Sequence, residues 1–264
     1  MAGLRYLKGH GTENDFVLLP DPDGRLTLTH DVVRRICDRR AGIGADGVLR
    51  VVRTVAVDGE HGDAEWFMDY RNADGSIAEM CGNGVRVYAR YLVTAGLVPP
   101  GHLRLATRGG VREVDVPASG DIAVDMGPAV VGDPVDIDGV IATAVDMGNP
   151  HAVVHVPSVE ALGVLDPARK DLNVEYVEDV GEAHVRMRVH ERGVGETRSC
   201  GTGACAAVVA TSLRLGSPRG TAYIVDVPGG RLTVTWRDDD SVLLSGPAVI
   251  VASGELADEW MGEQ

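Results

Sequence analysis

Apolar residues along this chain recur mostly at every second position, in short runs broken by Gly, Pro and Asp. Such alternation turns one face of an extended segment inward and the other outward, the mark of half-buried strands. It predicts strands over Val48–Arg53, Glu65–Tyr70, Leu103–Thr107, Val111–Val116, Ile122–Met126, Ala142–Met147, Ala152–Val156, His184–His190, Ala222–Val227, Arg231–Trp236 and Val242–Leu244. Three stretches switch to helical spacing. Asp31–Arg39 follows Thr29 and sets Val32, Val33 and Ile36 on one face. Gly84–Ala95 and Gly203–Leu215 stop before Gly96 and Gly216, as helix ends do.

The two later helices belong to a repeat. Cys81 opens CGNG and Cys200 opens CGTG, each just before its helix. Gly-Pro-Ala follows each cysteine by 46 residues, at Gly127 and at Gly246. Between them lie Gly109-Gly110 and Gly229-Gly230, flanked by alternating strands, and nine residues before each cysteine stands a polar residue, Asn72 or Glu191. Four matched coincidences indicate a duplicated unit of strands, Cys-bearing turn, helix and meander. Two copies make two similar lobes rather than a solenoid.

Composition then narrows the classes. The 264 residues carry 25 Lys+Arg and 39 Asp+Glu, a formal charge of −14. An acidic chain is a poor match for nucleic acid or an anionic membrane surface. No apolar run approaches a membrane span, and the start MAGLRYLKGHG has no signal-peptide core, so a soluble, cytoplasmic protein is expected. Glycine is high, 34 residues, and aromatics low, 4%, so the core must come from Val, Leu, Ile and Ala. Four cysteines are too few to staple this length. None makes a C-x-x-C pair, and Cys200 with Cys205 is the closest spacing, so no metal site is assigned. Gly42-x-Gly44-x-x-Gly47 matches the dinucleotide fingerprint in letters, but a helix precedes it and a strand follows, the reverse of what that fingerprint needs.

A cysteine at a helix mouth meets unpaired N–H groups and the positive end of the helix dipole, and both favour the thiolate. The glycines beside it let backbone amides approach an anion. Two such turns on two lobes suit one reaction in particular. Inverting a tetrahedral carbon takes a proton from one face and returns one to the other, which two opposed thiols can do and a single base cannot easily do.

Longer stretches then become informative: HGTENDFVLL (His10–Leu19), RRAGIGADGVL (Arg39–Leu49), RNADGSIAEMCGNG (Arg71–Gly84), MGNPHAVV (Met147–Val154) and ERGVGETRSCGTGACAA (Glu191–Ala207). In this order, from about residue 8 to residue 250, they resemble the diaminopimelate epimerase family. The resemblance implies a cofactor-independent isomerase that interconverts LL- and meso-diaminopimelate, on the route to lysine and peptidoglycan. It implies an α/β (α+β) fold of two pseudo-symmetric lobes, each a curved, mostly antiparallel sheet around a central helix, with the active site in the cleft between. The lobes would be 1–126 and 127–249, with 250–264 packing back on the first. By the same resemblance Cys81 and Cys200 are the acid/base pair, supported by His151 and Glu191. Asn14, Asn72, Asn149, Asn173, Glu191 and Arg192 bind substrate, and the amides of Gly82, Asn83, Gly201 and Thr202 cradle a carboxylate. No cofactor and no metal are implied. The partner is a small molecule, and a homodimer is expected only because members are often dimers.

Glu13 in the first motif and Glu175 in NVEYVE depart from the family pattern and put the settings of Asn14 and Asn173 in question. A proline racemase or hydroxyproline epimerase shares the two-thiol logic and is the enzymatic alternative. Such enzymes typically show a histidine where Asn83 stands and have no need of the Glu191-Arg192 clamp. A metal-binding protein using the cysteines as ligands is the alternative from another class, and it would carry zinc.

Overall fold

In the computed structural model, which describes residues 3–257 with Glu259 and Trp260, the chain divides into two compact units. The first takes the chain up to Gly11, Asp15–Ile122 and the chain from Ala248 on; the second takes Thr12–Asn14 and Ala123–Pro247. Part of the stretch 250–264, namely Asp258 and residues 261–264, lies outside the described residues.

In chain order the first part holds β1 (Leu4–Gly11), β2 (Asn14–Pro20), α1 (His30–Cys37), β3 (Gly47–Arg53), β4 (Trp66–Asn72), α2 (Gly82–Thr94), β5 (Gly101–Thr107) and β6 (Gly110–Val116). Then come β7 (Ile122–Pro128), β8 (Val130–Val131), β9 (Val135–Ile137), β10 (Val140–Asp146), β11 (Pro150–His155), β12 (Asn173–Gly181), β13 (His184–Glu191) and β14 (Gly195–Thr197). After them follow α3 (Gly201–Leu215), β15 (Ala222–Val227), β16 (Gly230–Trp236), β17 (Ser241–Gly246) and β18 (Val249–Leu256). All three expected helices and all eleven expected strands are present, with ends shifted by a few residues. Not expected were β1, β2, β8, β9, β12, β14 and β18.

The duplication reaches the strand pairings. In the first unit β2 runs parallel to β3, β3 antiparallel to β4, β4 parallel to β5, and β5 antiparallel to β6. In the second, β11, β12, β13, β15 and β16 repeat that sequence of directions. β1 lies antiparallel to β18 as β10 does to β8. One helix packs on the strands of each unit: α2 on β1, β3, β4, β5, β6 and β18, and α3 on β10 to β13 and β15 to β17.

These helices have no solvent face along most of their length, which sequence periodicity cannot distinguish from a loop-rich apolar run. In α3 every residue from Gly203 to Ser212 is buried, and the Ala-rich sequence is what allows strands to approach from several sides. α1 differs in being amphipathic. It buries Val32, Val33, Ile36 and Cys37 against Val17, Leu19 and Val48, with Thr29 capping it by accepting from the Val32 N–H at 3.3 Å.

Candidate active site

Cys81 and Cys200 are each the N-cap of a central helix, extended in backbone, with Gly82 and Gly201 as first helical residues. Each cysteine carbonyl accepts the first intrahelical bond, from Val85 N–H at 2.8 Å and from Ala204 N–H at 3.0 Å. The amides before those, Gly82 and Asn83 or Gly201 and Thr202, precede the first intrahelical donor, the position where a carboxylate can be received. The four cysteines are thiols, and Cys37 and Cys205 are packed in the core as expected of them. Burial pushes the Cys37 thiol up to about 12, which removes it from acid–base work.

In the second unit the sequence-derived residues converge on α3. His151 is the second residue of β11, Asn173 opens β12 beside it, and Glu191 ends β13. The Asn173 side chain donates to Pro150 O at 3.0 Å and accepts from Arg192 N–H at 3.0 Å, tying the starts of β11 and β12 to the end of β13. Asn149 holds its side-chain oxygen 3.0 Å from His151 Nε2. Thr197, at the end of β14, donates its hydroxyl to the Glu191 carboxylate. Arg192 is exposed. On the far side of His151, Nδ1 lies 2.7 Å from Glu175 Oε1, and both side chains are fully buried. From the sequence, Glu175 departs from the family pattern beside Asn173. Glu175 points at α3 and leaves Asn173 bound at both ends.

The electrostatics at Cys200 correct one expectation. A helix mouth was expected to favour the thiolate, and Gly203 N–H does point at Cys200 Sγ, at 3.4 Å, with Thr202 Oγ1 at 3.5 Å. Burial nevertheless dominates and raises the thiol well above its ordinary value, with the Glu191 and Glu175 carboxylates pushing the same way. A sulfur enclosed among acids keeps its proton until something cationic or a bound ligand changes the balance. Burial also raises Glu191, against the Thr197 hydrogen bond that lowers it, and Glu175 adds to the rise.

Around the other cysteine, Asn72 ends β4, with its amide donating to Ser76 Oγ at 3.0 Å and its N–H to Ser76 O at 2.9 Å. Cys81 is half-buried. Five residues beyond it Arg86 is wholly buried and donates to Asn83 Oδ1 at 2.8 Å, a cation inside the helix core that no periodicity argument would have placed there. Asn14 begins β2, after Thr12 and Glu13 with positive φ of 50° and 61°, the backbone of a tight hairpin turn. That turn belongs to the second unit. Thr12 Oγ1 is 2.6 Å from Ser199 Oγ, and Glu13 pairs with Arg198. The next residue, Asp15, receives Lys8 at 2.6 Å and Arg39 at 2.7 Å. Burial alone would raise Asp15, but these two partners hold its carboxyl well below the usual range. Among the described residues no group of three or more His, Cys, Asp or Glu is arranged to hold a metal ion.

A duplicated sheet-and-helix unit with a cysteine heading each central helix defines a mixed α/β protein of two like units. Solved structures share the fold at low identity. They include a predicted epimerase from Pseudomonas aeruginosa (18% identical, TM-score 0.72, covering 96% of this chain and 99% of that one) and a hydroxyproline epimerase from Agrobacterium vitis (14%, 0.69, 97% and 91%). Within that class the chain belongs to the diaminopimelate epimerase family, whose model matches residues 6–132 and 143–251. Diaminopimelate epimerases of Streptomyces coelicolor and Thermobifida fusca are 52% and 50% identical to it, over 98% and 96% of this chain and 97% and 98% of theirs.

Proposed function

We propose that the protein interconverts LL- and meso-2,6-diaminopimelate by two-base proton transfer between Cys81 and Cys200. Family membership supports the substrate, and the matched placement of the two cysteines at the first turns of α2 and α3 is the observation that carries the mechanism. One sulfur, as thiolate, takes the α-proton, breaking the C–H bond and leaving the electron pair on the α-carbon and its carboxylate. The other, as thiol, delivers its proton to the opposite face. One C–H bond breaks, one forms, and the two sulfurs exchange protonation states. The helix amides of Gly82, Asn83, Gly201 and Thr202 receive the α-carboxylate, where charge develops as the proton leaves.

Glu191 and His151 serve as proton partners for the sulfurs. Arg192 suits the distal carboxylate and Glu191 an ammonium, while Asn14, Asn72 and Asn149 supply amide contacts and Asn173 acts through the strand ends it ties. The protein works without a cofactor, in the cytoplasm, and as a homodimer. Among the described residues no helix is long and apolar enough to cross a membrane.

Proton NMR in heavy water tests this under reducing conditions. LL-diaminopimelate should lose its α-proton signal as the meso isomer forms, and Cys81→Ala or Cys200→Ala should each abolish epimerisation. Exchange surviving both substitutions would overturn the two-thiol assignment. Absence of exchange with wild type would overturn the substrate, and proline and hydroxyproline would then be tried.

A further inference from the structure

The repeat can be aligned by strand register. Phe16 lies opposite Gly47 across β2 and β3, and His151 lies opposite Asn173 across β11 and β12. On that alignment His151 takes the place of Phe16, Glu175 that of Leu49, and Gly203 that of Gly84. The helix glycines confirm it. A Cβ on Gly84 would face Leu49 Cδ2 at 3.4 Å and Phe16 Cζ at 3.6 Å, whereas one on Gly203 would collide with Glu175 Oε1 at 2.6 Å. A fully apolar wall in one copy has become a buried imidazole–carboxylate pair in the other.

We propose that Glu175 is the positioning residue for His151: it holds the imidazole by Nδ1 and so confines proton exchange to Nε2, on the side of Asn149. This deepens the epimerase reading and rests on it for the catalytic consequence. The groups that face Glu175 from the elements packed on it are His151 of β11, Glu191 of β13, and Cys200 with Gly203 at the head of α3. The Cys200 thiol is engaged with Glu191, and the imidazole Nδ1, 2.7 Å away, is the group placed to offer a hydrogen to the Glu175 carboxylate. Glu175 Oε2 is buried with no hydrogen-bond partner among the described residues, so the carboxylate depends on the Nδ1–H. A hydrogen fixed at Nδ1 leaves Nε2 to bind and release the mobile one. Asn149 can serve both states, its carbonyl accepting from Nε2–H and, after a turn of the amide, its N–H donating to bare Nε2. A carboxylate behind an imidazole sets tautomer and orientation without itself exchanging a proton.

The test labels histidine with ¹⁵N and reads which ring nitrogen of His151 bears hydrogen, with His151→Gln assigning the signal. Wild type should show Nδ1–H, and Glu175→Gln, folded by circular dichroism, should show a mixture of tautomers. Turnover in that variant should fall in kcat by roughly 10- to 100-fold with KM held within about threefold. Should Glu175→Gln fail to fold, Gly203→Ala keeps the carboxylate and displaces it from His151, and the same tautomer loss is expected. An unchanged Nδ1–H signal in the variant, or unchanged kcat, overturns the positioning role. A wild type that shows Nδ1–H but exchanges no α-proton overturns the epimerase reading, and the tautomer shift in the variant then still decides the pairing.

Discussion

Cys81 and Cys200 sit at the same point of the same repeat, each capping a buried helix whose third residue is a glycine. Around Cys81 the supporting positions are Phe16 and Leu49, with Arg86 wholly buried in the helix behind it. Around Cys200 they are His151 and Glu175, and the position equivalent to Arg86 is the neutral Cys205. Backbone symmetry is thus retained while the charges are not. One sulfur has a buried cation in its helix, and the other is kept protonated by burial first and then by the Glu191 and Glu175 carboxylates. Duplication supplies two cysteine-headed helices, and substitution at three buried positions gives the two cysteines different surroundings.

Converting the second wall into the first would have the largest effect. His151→Phe leaves the Glu175 carboxylate buried without its partner and should cost about 3–5 kcal/mol of stability. Glu175→Leu leaves the Nδ1–H unpaired, at about 1–3 kcal/mol. The double variant should lose less than the sum, because an apolar pair of similar shape already fills this place in the other copy. Turnover should be lost by roughly 10²- to 10⁴-fold in each variant that lacks the imidazole. Denaturant titrations of the four proteins measure the coupling, and strict additivity would break the claim that the pair acts as one unit.

The helix glycines sharpen the same contrast at lower cost. Gly84→Ala meets ordinary contacts and gains helix propensity, so stability should rise by up to about 1 kcal/mol. Gly203→Ala meets Glu175 Oε1 and the Cys200 sulfur and should lose about 1–3 kcal/mol. Thermal melts of both proteins check the sign. Equal effects would mean the two walls are not distinguished as described.

A third difference is readable by titration. An exposed cysteine is half ionised near pH ~8.5. Cys200, raised by burial and then by Glu191 and Glu175, should remain a thiol beyond that point. The unfolded chain ionises first, so this group contributes stability below pH ~8.5 that is lost as pH rises. Thiolate ultraviolet absorbance, taken as wild type minus Cys200→Ser, follows it directly. With Glu175→Gln one negative neighbour is gone and the band should appear at lower pH.

Legibility in the sequence followed burial geometry. β7, β13, β15, β16 and β17 alternate between buried and wetter positions, and all five are expected from the sequence. β2 has four consecutive buried residues, Phe16 to Leu19, because both faces are covered, and its apolar run shows no period. β1 supplies Gly9 and Gly11 where side chains would mark a strand, since Val87 and Arg86 of α2 occupy that space. The two cysteine turns were legible as helix starts because the duplication repeats them. Glu175 was not, because no strand is expected over Asn173–Gly181 and an acidic residue there reads as solvent-facing until its partner is known. The signal was present in principle: comparing the repeat copies strand by strand would have aligned Glu175 with Leu49, an inward position.

The smallest test concerns the turns that introduce Asn14 and Asn149. In the first, Glu13 holds a φ of 61°, and in the second Gly148 holds 91°. A side chain in the left-handed region strains the backbone, whereas glycine does not. Gly148 has open space around a would-be Cβ, so Gly148→Ala isolates the backbone term and should cost about 1 kcal/mol. Glu13 already bears that strain and offsets part of it through Arg198, a half-exposed pair worth at most about 1 kcal/mol. Glu13→Asn, which tolerates the conformation but gives up the ion pair, should therefore change stability by less than about 1 kcal/mol. Melting the variant at low and high salt separates the two contributions. A gain that grows with salt identifies strain as the larger, and a loss that shrinks with salt identifies the ion pair. Either result explains how a turn that departs from the family pattern can still deliver Asn14 to the start of β2.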